Sequence, residues 1–333
     1  MPKSVPVITD DHVACGQCLT LTGIHASMSD SSMPSHSLLD LSHPASRQRL
    51  QLAPAAGFCG VSWMVEGEEC LHLCQPLDQF LREEHTGGLP LLYPWANRLR
   101  SDQWQFRGTE VDLAGHARVH RDGNGLPMHG LLVRWPQWDM ELTDGGCRAS
   151  IDWASHQDLF AAFPFEHQLQ IHWKLDGEGL EVRTSVTAGQ SRVPVSFGWH
   201  PYLVLPGAVR SDLSLQLPSL MEVPLDPGCL PVQGSVGDSI EGMQSLADRS
   251  WDHCFSGLQD GMAVEMRSGE RAIRMEFLEG YRWLQIYSPD EADFVCLEPM
   301  TAITAALSDQ DPMPPVVDPG CTYVGRYRMT LMG

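Results

Sequence analysis

The sequence is poor in basic residues. It contains 42 Asp and Glu but only 22 Lys and Arg among 333 residues, which gives a formal net charge of −20. Nucleic acids and anionic membranes are bound through clustered Lys and Arg, so this balance argues against both kinds of partner. It also disfavours a highly phosphorylated ligand, although a local basic pocket could override the overall sign of the charge.

Long apolar runs are also missing. No run approaches the roughly 18–20 residues that a membrane-spanning helix needs. The first residues, MPKSVPVITDDHV, have one lysine followed by acids, and they lack the apolar segment of a secretory signal peptide. From these absences we expect a soluble, cytoplasmic protein.

The ten cysteines show no complete metal-binding pattern. Cys15 and Cys18 form one half-site, and Cys70 and Cys74 form another with His72 between them. A structural zinc site usually needs two such pairs, or a pair plus histidines, so free thiols in a reducing compartment are the better interpretation. Neither G-x-G-x-x-G nor G-x-S-x-G occurs, and we expect no metal and no cofactor.

The first part of the chain differs in composition from the rest. Residues 1–46 include SMSDSSMPSHS, which is rich in Ser, Met and Pro and has no sustained hydrophobic period. We interpret residues 1–46 as a flexible or loosely packed extension. Short alternating patterns begin at Arg47, and neither an internal repeat nor a central linker follows. Residues 47–333 are therefore predicted to form one domain.

Alternating strands dominate that domain. Residues 167–175 and 180–186 have period-2 patterns around the turn DGEG, which predicts an antiparallel hairpin. Residues 281–288 and 293–299 predict a second hairpin, whose second strand is continuously apolar from Phe294 to Leu297. Helical signals are few and short, at residues 155–163 and 301–307. The fold class indicated is all-β, a large antiparallel β-sandwich with few short helices.

One stretch, VPVSFGWHPYLVLPG at 193–207, predicts a strand with two unequal faces. Side chains alternate along a strand, so one face is bulky and should belong to the core: Val193, Val195, Phe197 and Trp199. On the other face, Ser196 and Gly198 are small and would leave space for a ligand ahead of His200. A histidine at the end of such a strand is a candidate acid or base, and a structural histidine is the alternative.

Four further candidates lie elsewhere in the sequence. Arg98, next to Asn97 in a loop-like stretch, has a planar fork of donors that suits sugar hydroxyls or carboxylates. His129 follows a Gly-rich turn, and Asp252 stands beside a tryptophan, as acids in sugar sites often do. Each of these alone is weak, because a solvated loop residue would have the same pattern.

Glu298 is the sharper candidate. It ends an apolar strand, where burial should raise the pKa of its carboxyl, and this suits a general base near neutral pH. Structural pairing with an arginine is the alternative.

Six short motifs occur in one order: PWANRL, MHGLL, FGWHPY, WDHCF, LQIY and CLEP. Together they resemble the aldose 1-epimerase (galactose mutarotase) family, over roughly Arg47 to the C-terminus. That family has a large antiparallel β-sandwich with an open cleft, which agrees with the strand patterns.

The resemblance implies interconversion of the α and β anomers of a free hexose. Glu298 matches the family's general base and His200 its general acid, and a negative Glu298 would favour a charged His200. Positions that bind sugar hydroxyls are matched by Asn97, Arg98, His129, Asp252 and Gln285. The implied partner is a small sugar, and we expect a monomer or dimer.

Other functions stay open at this point. A hexose-6-phosphate 1-epimerase on the same fold would need an extra cationic site, for which Arg100 and Arg134 are candidates. A carbohydrate-binding or sensing protein would keep the cleft without the chemistry. A glycoside hydrolase is disfavoured, because such enzymes normally use a pair of carboxylates rather than Glu and His.

Overall fold

The computed structural model describes residues 37–82, 86–247, 249–290 and 292–333. Most of the predicted extension, together with Cys15 and Cys18, lies outside these ranges. Among the described residues, no helix has the length and apolar character needed to cross a bilayer.

A four-stranded antiparallel sheet begins the described chain. Its strands in spatial order are β1 (Leu39–His43), β2 (Gln48–Ala53), β3 (Cys59–Val65) and β4 (Glu68–Glu69). In β1, Leu39 pairs with Leu52 of β2, so the chain joins this sheet before the predicted domain start at Arg47.

Nineteen further strands follow within the described ranges. The first ten of these are β5 (Leu91–Leu92), β6 (Gln103–Phe106), β7 (Thr109–Asp112), β8 (Asp139–Thr143), β9 (Gly146–Asp152), β10 (His167–Asp176), β11 (Gly179–Ala188), β12 (Val193–Pro194), β13 (Gly198–Trp199) and β14 (Tyr202–Leu203). The remaining nine are β15 (Ser214–Val223), β16 (Ser239–Ser245), β17 (Trp251–Ser256), β18 (Ala263–Ser268), β19 (Arg271–Glu279), β20 (Trp283–Ser288), β21 (Val295–Met300), β22 (Val316–Val317) and β23 (Thr322–Met332).

Fifteen of these strands form one continuous antiparallel sheet. Its order is β5-β13-β21-β20-β17-β15-β18-β19-β23-β11-β10-β9-β8, with β14 beside β21 and β16 beside β15. The pairs β6-β7 and β12-β22 form two small ribbons. Both predicted hairpins are confirmed, as β10-β11 and β20-β21.

The long sheet folds over so that its two parts face each other across one core. Trp199 of β13 meets Trp173 of β10 edge to face, with ring centroids 5.1 Å apart. Its indole Nε1 donates to Thr184 Oγ1 of β11 at 3.0 Å, which satisfies the buried polar atom. Gly60 of β3 lies against the Trp173 ring from the N-terminal sheet. The predicted all-β sandwich is therefore confirmed.

The stretch 193–207 is extended but is not one strand. It contributes the three two-residue strands β12, β13 and β14, because Pro194 and Pro201 lack the N–H that a continuous ladder requires. The predicted apolar face is confirmed, since its four side chains are all buried. The predicted space above Gly198 is wrong, because a Cβ there would lie 2.9 Å from Ala96 Cβ and 3.1 Å from Met300 Cγ.

Helices are short in the described chain: α1 (Leu77–Phe80), α2 (Gln157–Ala162) and α3 (Ala306–Asp309), with 3₁₀ turns at Pro44–Ser46, Pro54–Ala56, Trp153–Ser155 and Arg210–Asp212. The prediction at 155–163 is confirmed by α2. The prediction at 301–307 is wrong before Ala306, because Thr301 N and Ala305 N donate to the carbonyls of Phe197 and Arg98 instead of helical partners.

We predict that Gly130→Ala destabilises the fold more than Gly115→Ala. Both glycines have left-handed backbone, with φ of +72° and +70°, so alanine at either costs about 1–2 kcal/mol. At Gly115 a Cβ meets nothing within 4 Å, whereas at Gly130 it would lie 2.1 Å from the Tyr93 carbonyl oxygen. We expect about 1–3 kcal/mol of additional loss from this overlap, measured by urea unfolding. Equal losses in the two variants would contradict this packing.

Candidate active site

Three adjacent strands place polar side chains on one face of the long sheet. Gln285 of β20 lies opposite Glu298 of β21 on one side and Cys254 of β17 on the other. Asp252, two residues before Cys254, shares that face because strand side chains alternate. Its Oδ1 accepts a hydrogen bond from Gln285 Nε2 at 2.6 Å. Three residues predicted from separate motifs therefore converge on this face.

His200 reaches the same face from the end of β13. Its backbone N–H donates to the carbonyl of Pro90 at 3.1 Å, which fixes the backbone where the strand ends. The side chain lies with Nε2 3.3 Å from Glu298 Oε1. Both residues are buried, His200 with 5% and Glu298 with 1% of its surface exposed.

Burial controls the charge of this pair. It raises the pKa of the Glu298 carboxyl well above its usual range, an effect strengthened by the nearby Asp252 and opposed by Arg98. Burial also lowers the pKa of the His200 imidazole to about 3. Burial thus opposes the charged form of both groups, while proximity to an ionised Glu298 would favour a charged His200.

Each member of the pair retains an atom without a hydrogen-bond partner. Within the described part of the chain, Glu298 Oε2 and His200 Nδ1 are buried and unpaired, as is Nδ1 of His129. Buried polar atoms are almost always hydrogen-bonded, and exceptions call for an explanation such as a binding or catalytic role. These three atoms in one place point to a polar ligand.

Asn97 and His129 border the pair on a strained piece of backbone. Both have left-handed conformations, with φ of 52° and 62°, which are uncommon for residues other than glycine and occur often at functional sites. The His129 N–H donates to the Asn97 carbonyl at 2.8 Å. The His129 ring stands nearly perpendicular to the His200 ring, with centroids 5.5 Å apart.

Arg98 completes the set of predicted site residues. Its positive charge lowers the pKa of Glu298 and of His129, which places the guanidinium within electrostatic reach of both. Burial is the larger cause for His129 and lowers the pKa of its imidazole well below its usual range. The structure thus brings together all seven residues singled out in the sequence: Asn97, Arg98, His129, His200, Asp252, Gln285 and Glu298.

Sequence analysis missed three neighbours of the site. Tyr202 stacks on His200, with ring centroids 4.6 Å apart and ring planes 11° apart. It follows His200 by two residues, and alternation along a strand would have placed the two side chains on the same face. Asp122 binds Arg98, and Cys229 points its thiol at Asp252 Oδ2 from 3.8 Å. Nothing in the local sequence of Asp122 or Cys229 indicates these contacts, since both come from loops distant along the chain.

The cysteine half-site at Cys70 and Cys74 does not assemble into a metal centre. Cys70 is buried and Cys74 is exposed, and both are free thiols. Over the described ranges, no group of three His, Cys, Asp or Glu has an arrangement that could hold a metal ion. Cys254, on the same face as Glu298, is a neutral thiol because burial raises its pKa to about 12.

Comparison with known families gives one clear match. The sequence model described as Aldose 1-epimerase matches residues 58–330. The match spans all seven site residues. Among curated proteins, no sequence matches this chain significantly.

Solved structures with similar folds come from several organisms. A galactose mutarotase-like protein from Clostridium acetobutylicum has a TM-score of 0.76 and 16% identity, over 91% of this chain and 97% of that chain. The protein Slr1438 from Synechocystis has a TM-score of 0.71 and 22% identity, with the same two coverages of 91% and 97%. A galactose 1-epimerase from Lactobacillus acidophilus has a TM-score of 0.67 and 15% identity, over 88% of this chain and 93% of that chain. At these identities the likeness establishes a shared fold.

Proposed function

The chain belongs to the aldose 1-epimerase family, and from this premise we propose that it interconverts the α and β anomers of a free hexose. The observation that carries the proposal is the buried contact of 3.3 Å between Glu298 Oε1 and His200 Nε2. A carboxyl and an imidazole so placed can move two protons at the two ends of one hemiacetal.

Ring opening needs a base and an acid at once. Glu298, as carboxylate, takes the proton of the anomeric hydroxyl while His200, as imidazolium, protonates the ring oxygen, and the C1–O5 bond breaks. The open aldehyde rotates about C1–C2. His200 then removes the proton of the C5 hydroxyl, and Glu298 returns a proton to the carbonyl oxygen as the ring closes to the other anomer. Each such transfer typically contributes about 10²–10⁴ to the rate.

The proton count of the pair fits this cycle. The acid–imidazole form and the carboxylate–imidazolium form differ only by transfer of one proton across the Glu298–His200 contact, and their net charge is the same. The internal transfer therefore needs no proton from solvent, and in the carboxylate–imidazolium form the two buried charges stabilise each other. The acid–imidazole form is the state reached after ring opening, and it is the form from which ring closure starts.

The surrounding groups suit sugar hydroxyls. Gln285 Nε2 donates to Asp252 Oδ1 at 2.6 Å and the Cys229 thiol lies 3.8 Å from Oδ2, so the carboxylate is fixed in orientation. Arg98 and Asn97 supply donors, and His129, neutral because of burial, can accept or donate. Tyr202 supports His200 by stacking and so limits the motion of the imidazole.

We predict that Glu298→Gln and His200→Asn each remove most of the catalysed mutarotation, by about 10²–10⁴ in kcat, because each deletes one proton-transfer group. The measurement is polarimetry on freshly dissolved α-glucose and α-galactose, with the spontaneous rate subtracted. The exposed Glu110 and the half-buried His172 provide matched controls, as Glu110→Gln and His172→Asn, with wild-type rates expected. Wild-type activity in either site variant would contradict the roles, and intact sugar binding without any catalysis by wild-type protein would establish a binding protein instead.

The pH profile should report the shifted pKa values of the pair. The active form carries one transferable proton, and it is lost when the pH falls through the His200 pKa of about 3 or rises through the elevated Glu298 pKa. We therefore predict that kcat/KM persists as the pH falls through 4.5, the ordinary value for a glutamate. Polarimetric rates in buffers from about pH 3.5 to 8 check this. A half-loss of activity near an ordinary glutamate pKa would show that burial does not control the pair.

A second candidate, epimerisation of a hexose 6-phosphate, is favoured by one observation. A cavity of about 820 Å³ adjoins His129 and is lined by Arg118, Arg121 and Arg134, with Asp158 as its acid. This is a locally basic surface in an acidic chain. Arg118 already pairs with Asp158 at 2.7 Å and Arg121 with Asp102 at 2.8 Å, so a phosphate would compete with these carboxylates.

Of the two arginines first considered for a phosphate, only Arg134 lines this cavity. Arg100 binds Asp309 at 2.9 Å and the Pro231 carbonyl at 3.0 Å in a different part of the surface. Comparing catalysed anomerisation of glucose and glucose 6-phosphate decides between the candidates. We expect the higher kcat/KM with glucose. A preference for the phosphate that is lost in Arg118→Gln would establish the second candidate.

A further inference from the structure

Asp122 is a half-buried residue beside the site, and the proposed chemistry does not use its carboxylate directly. Its side chain is 5% exposed, and Oδ2 accepts a hydrogen bond from Arg98 Nε at 2.7 Å. Oδ1 serves a different purpose, because it accepts the backbone N–H groups of Asn124 and Leu126 at 2.9 and 3.0 Å. One carboxylate oxygen therefore binds the guanidinium of Arg98, and the other stabilises the local turn.

The turn that presents Asp122 is itself well fixed. The Asp122 N–H donates to the Leu126 carbonyl at 3.0 Å, and the Gly125 N–H donates to the Asp122 carbonyl at 2.9 Å. Gly125 has φ of +80°, which closes the turn without a Cβ. Arg121 Nη1 donates to the Gly125 carbonyl at 2.9 Å from the outside. Asp122 is thus a rigid acceptor for Arg98.

Arg98 has a fixed backbone but a long side chain that needs orientation. Its carbonyl accepts from Ala305 N at 2.9 Å, and its backbone bridges to Met128. The Asp122 bond engages Nε, which leaves the two terminal nitrogens of the guanidinium for other partners. The charge acts on Glu298, His129 and Cys229, so the guanidinium lies where all three are within its field.

We propose that Asp122 is a positioning residue that holds the Arg98 guanidinium toward the substrate and toward Glu298. The inference rests on the proposed function, since it assigns the orientation of a group at the same site. Without Asp122, Arg98 would adopt several rotamers, and its favourable effect on the ionised Glu298 would weaken. The pKa of the Glu298 carboxyl would then rise further.

Because the two oxygens have different partners, one substitution can remove the contact with Arg98 and keep the turn. In Asp122→Asn the side-chain carbonyl can still accept from Asn124 and Leu126, so the turn is kept. The amide nitrogen would face the Arg98 Nε–H, and two donors cannot bond. We expect kcat/KM for α-glucose to fall on the order of 10- to 100-fold, the range for a misplaced binding group. Introducing the same change beside Arg98→Gln should add almost nothing, because Asp122 acts through Arg98.

A second readout does not depend on activity. The pKa of the Glu298 carboxyl is followed by its ¹³C chemical shift against pH in wild type, Asp122→Asn, Arg98→Gln and the double variant. We expect a higher pKa in all three variants and no additional rise in the double variant. Asp40→Asn is the matched control, because Arg49 Nε donates to Asp40 Oδ1 at 2.8 Å in the N-terminal sheet, and it should leave rate and pKa unchanged.

The outcomes separate the two claims. A protein that accelerates no anomerisation at all refutes the proposed function, while the Glu298 titration still tests the role of Asp122. An unchanged Glu298 pKa in Asp122→Asn overturns the inference, and so does an equal loss of activity from Asp122→Asn with and without Arg98. The inference is established if Asp122→Asn lowers activity only when Arg98 is present and also raises the pKa of Glu298.

Discussion

Burial of an acid and an imidazole in direct contact is the constraint on which the account depends. Glu298 and His200 are buried, which disfavours the charged form of each, and their pKa values move in opposite directions. In the proposed reaction the pair keeps one transferable proton between these two shifted pKa values. This is the state that a reaction with simultaneous gain and loss of a proton requires, and no external buffer or ion has to supply it.

The sheet makes that contact possible. Strands β17, β20 and β21 run side by side in a register that sets Cys254, Gln285 and Glu298 in one row. The chain returns through β13 and β14, which pair with β21, and so brings His200 over the same row. The contact of Trp199 with Trp173 in the aromatic core fixes the position of β13 relative to this row. The geometry of the candidate site is a consequence of strand register and core packing.

Much of this could be read from sequence because the signals are local. Period-2 patterns predicted both hairpins, and the order of six motifs identified the residues that the fold collects. Contacts between distant loops had no such signal, which is why Asp122 and Cys229 were missed. Tertiary contacts also explain two wrong predictions. Ala96 and Met300 fill the space above Gly198. The Phe197 carbonyl accepts the N–H of Thr301, so the helix cannot start there.

In the proposed reaction the sugar's hemiacetal lies across Glu298 and His200. The most direct measurement is a crystal structure of the Glu298→Gln variant with bound galactose, since this variant should keep the site and slow the reaction. The account predicts the anomeric oxygen within hydrogen-bonding distance of residue 298, the ring oxygen beside His200, and hydroxyls on Arg98 and Asp252. A sugar bound in the cavity beyond His129, with its C1 away from the pair, would contradict it.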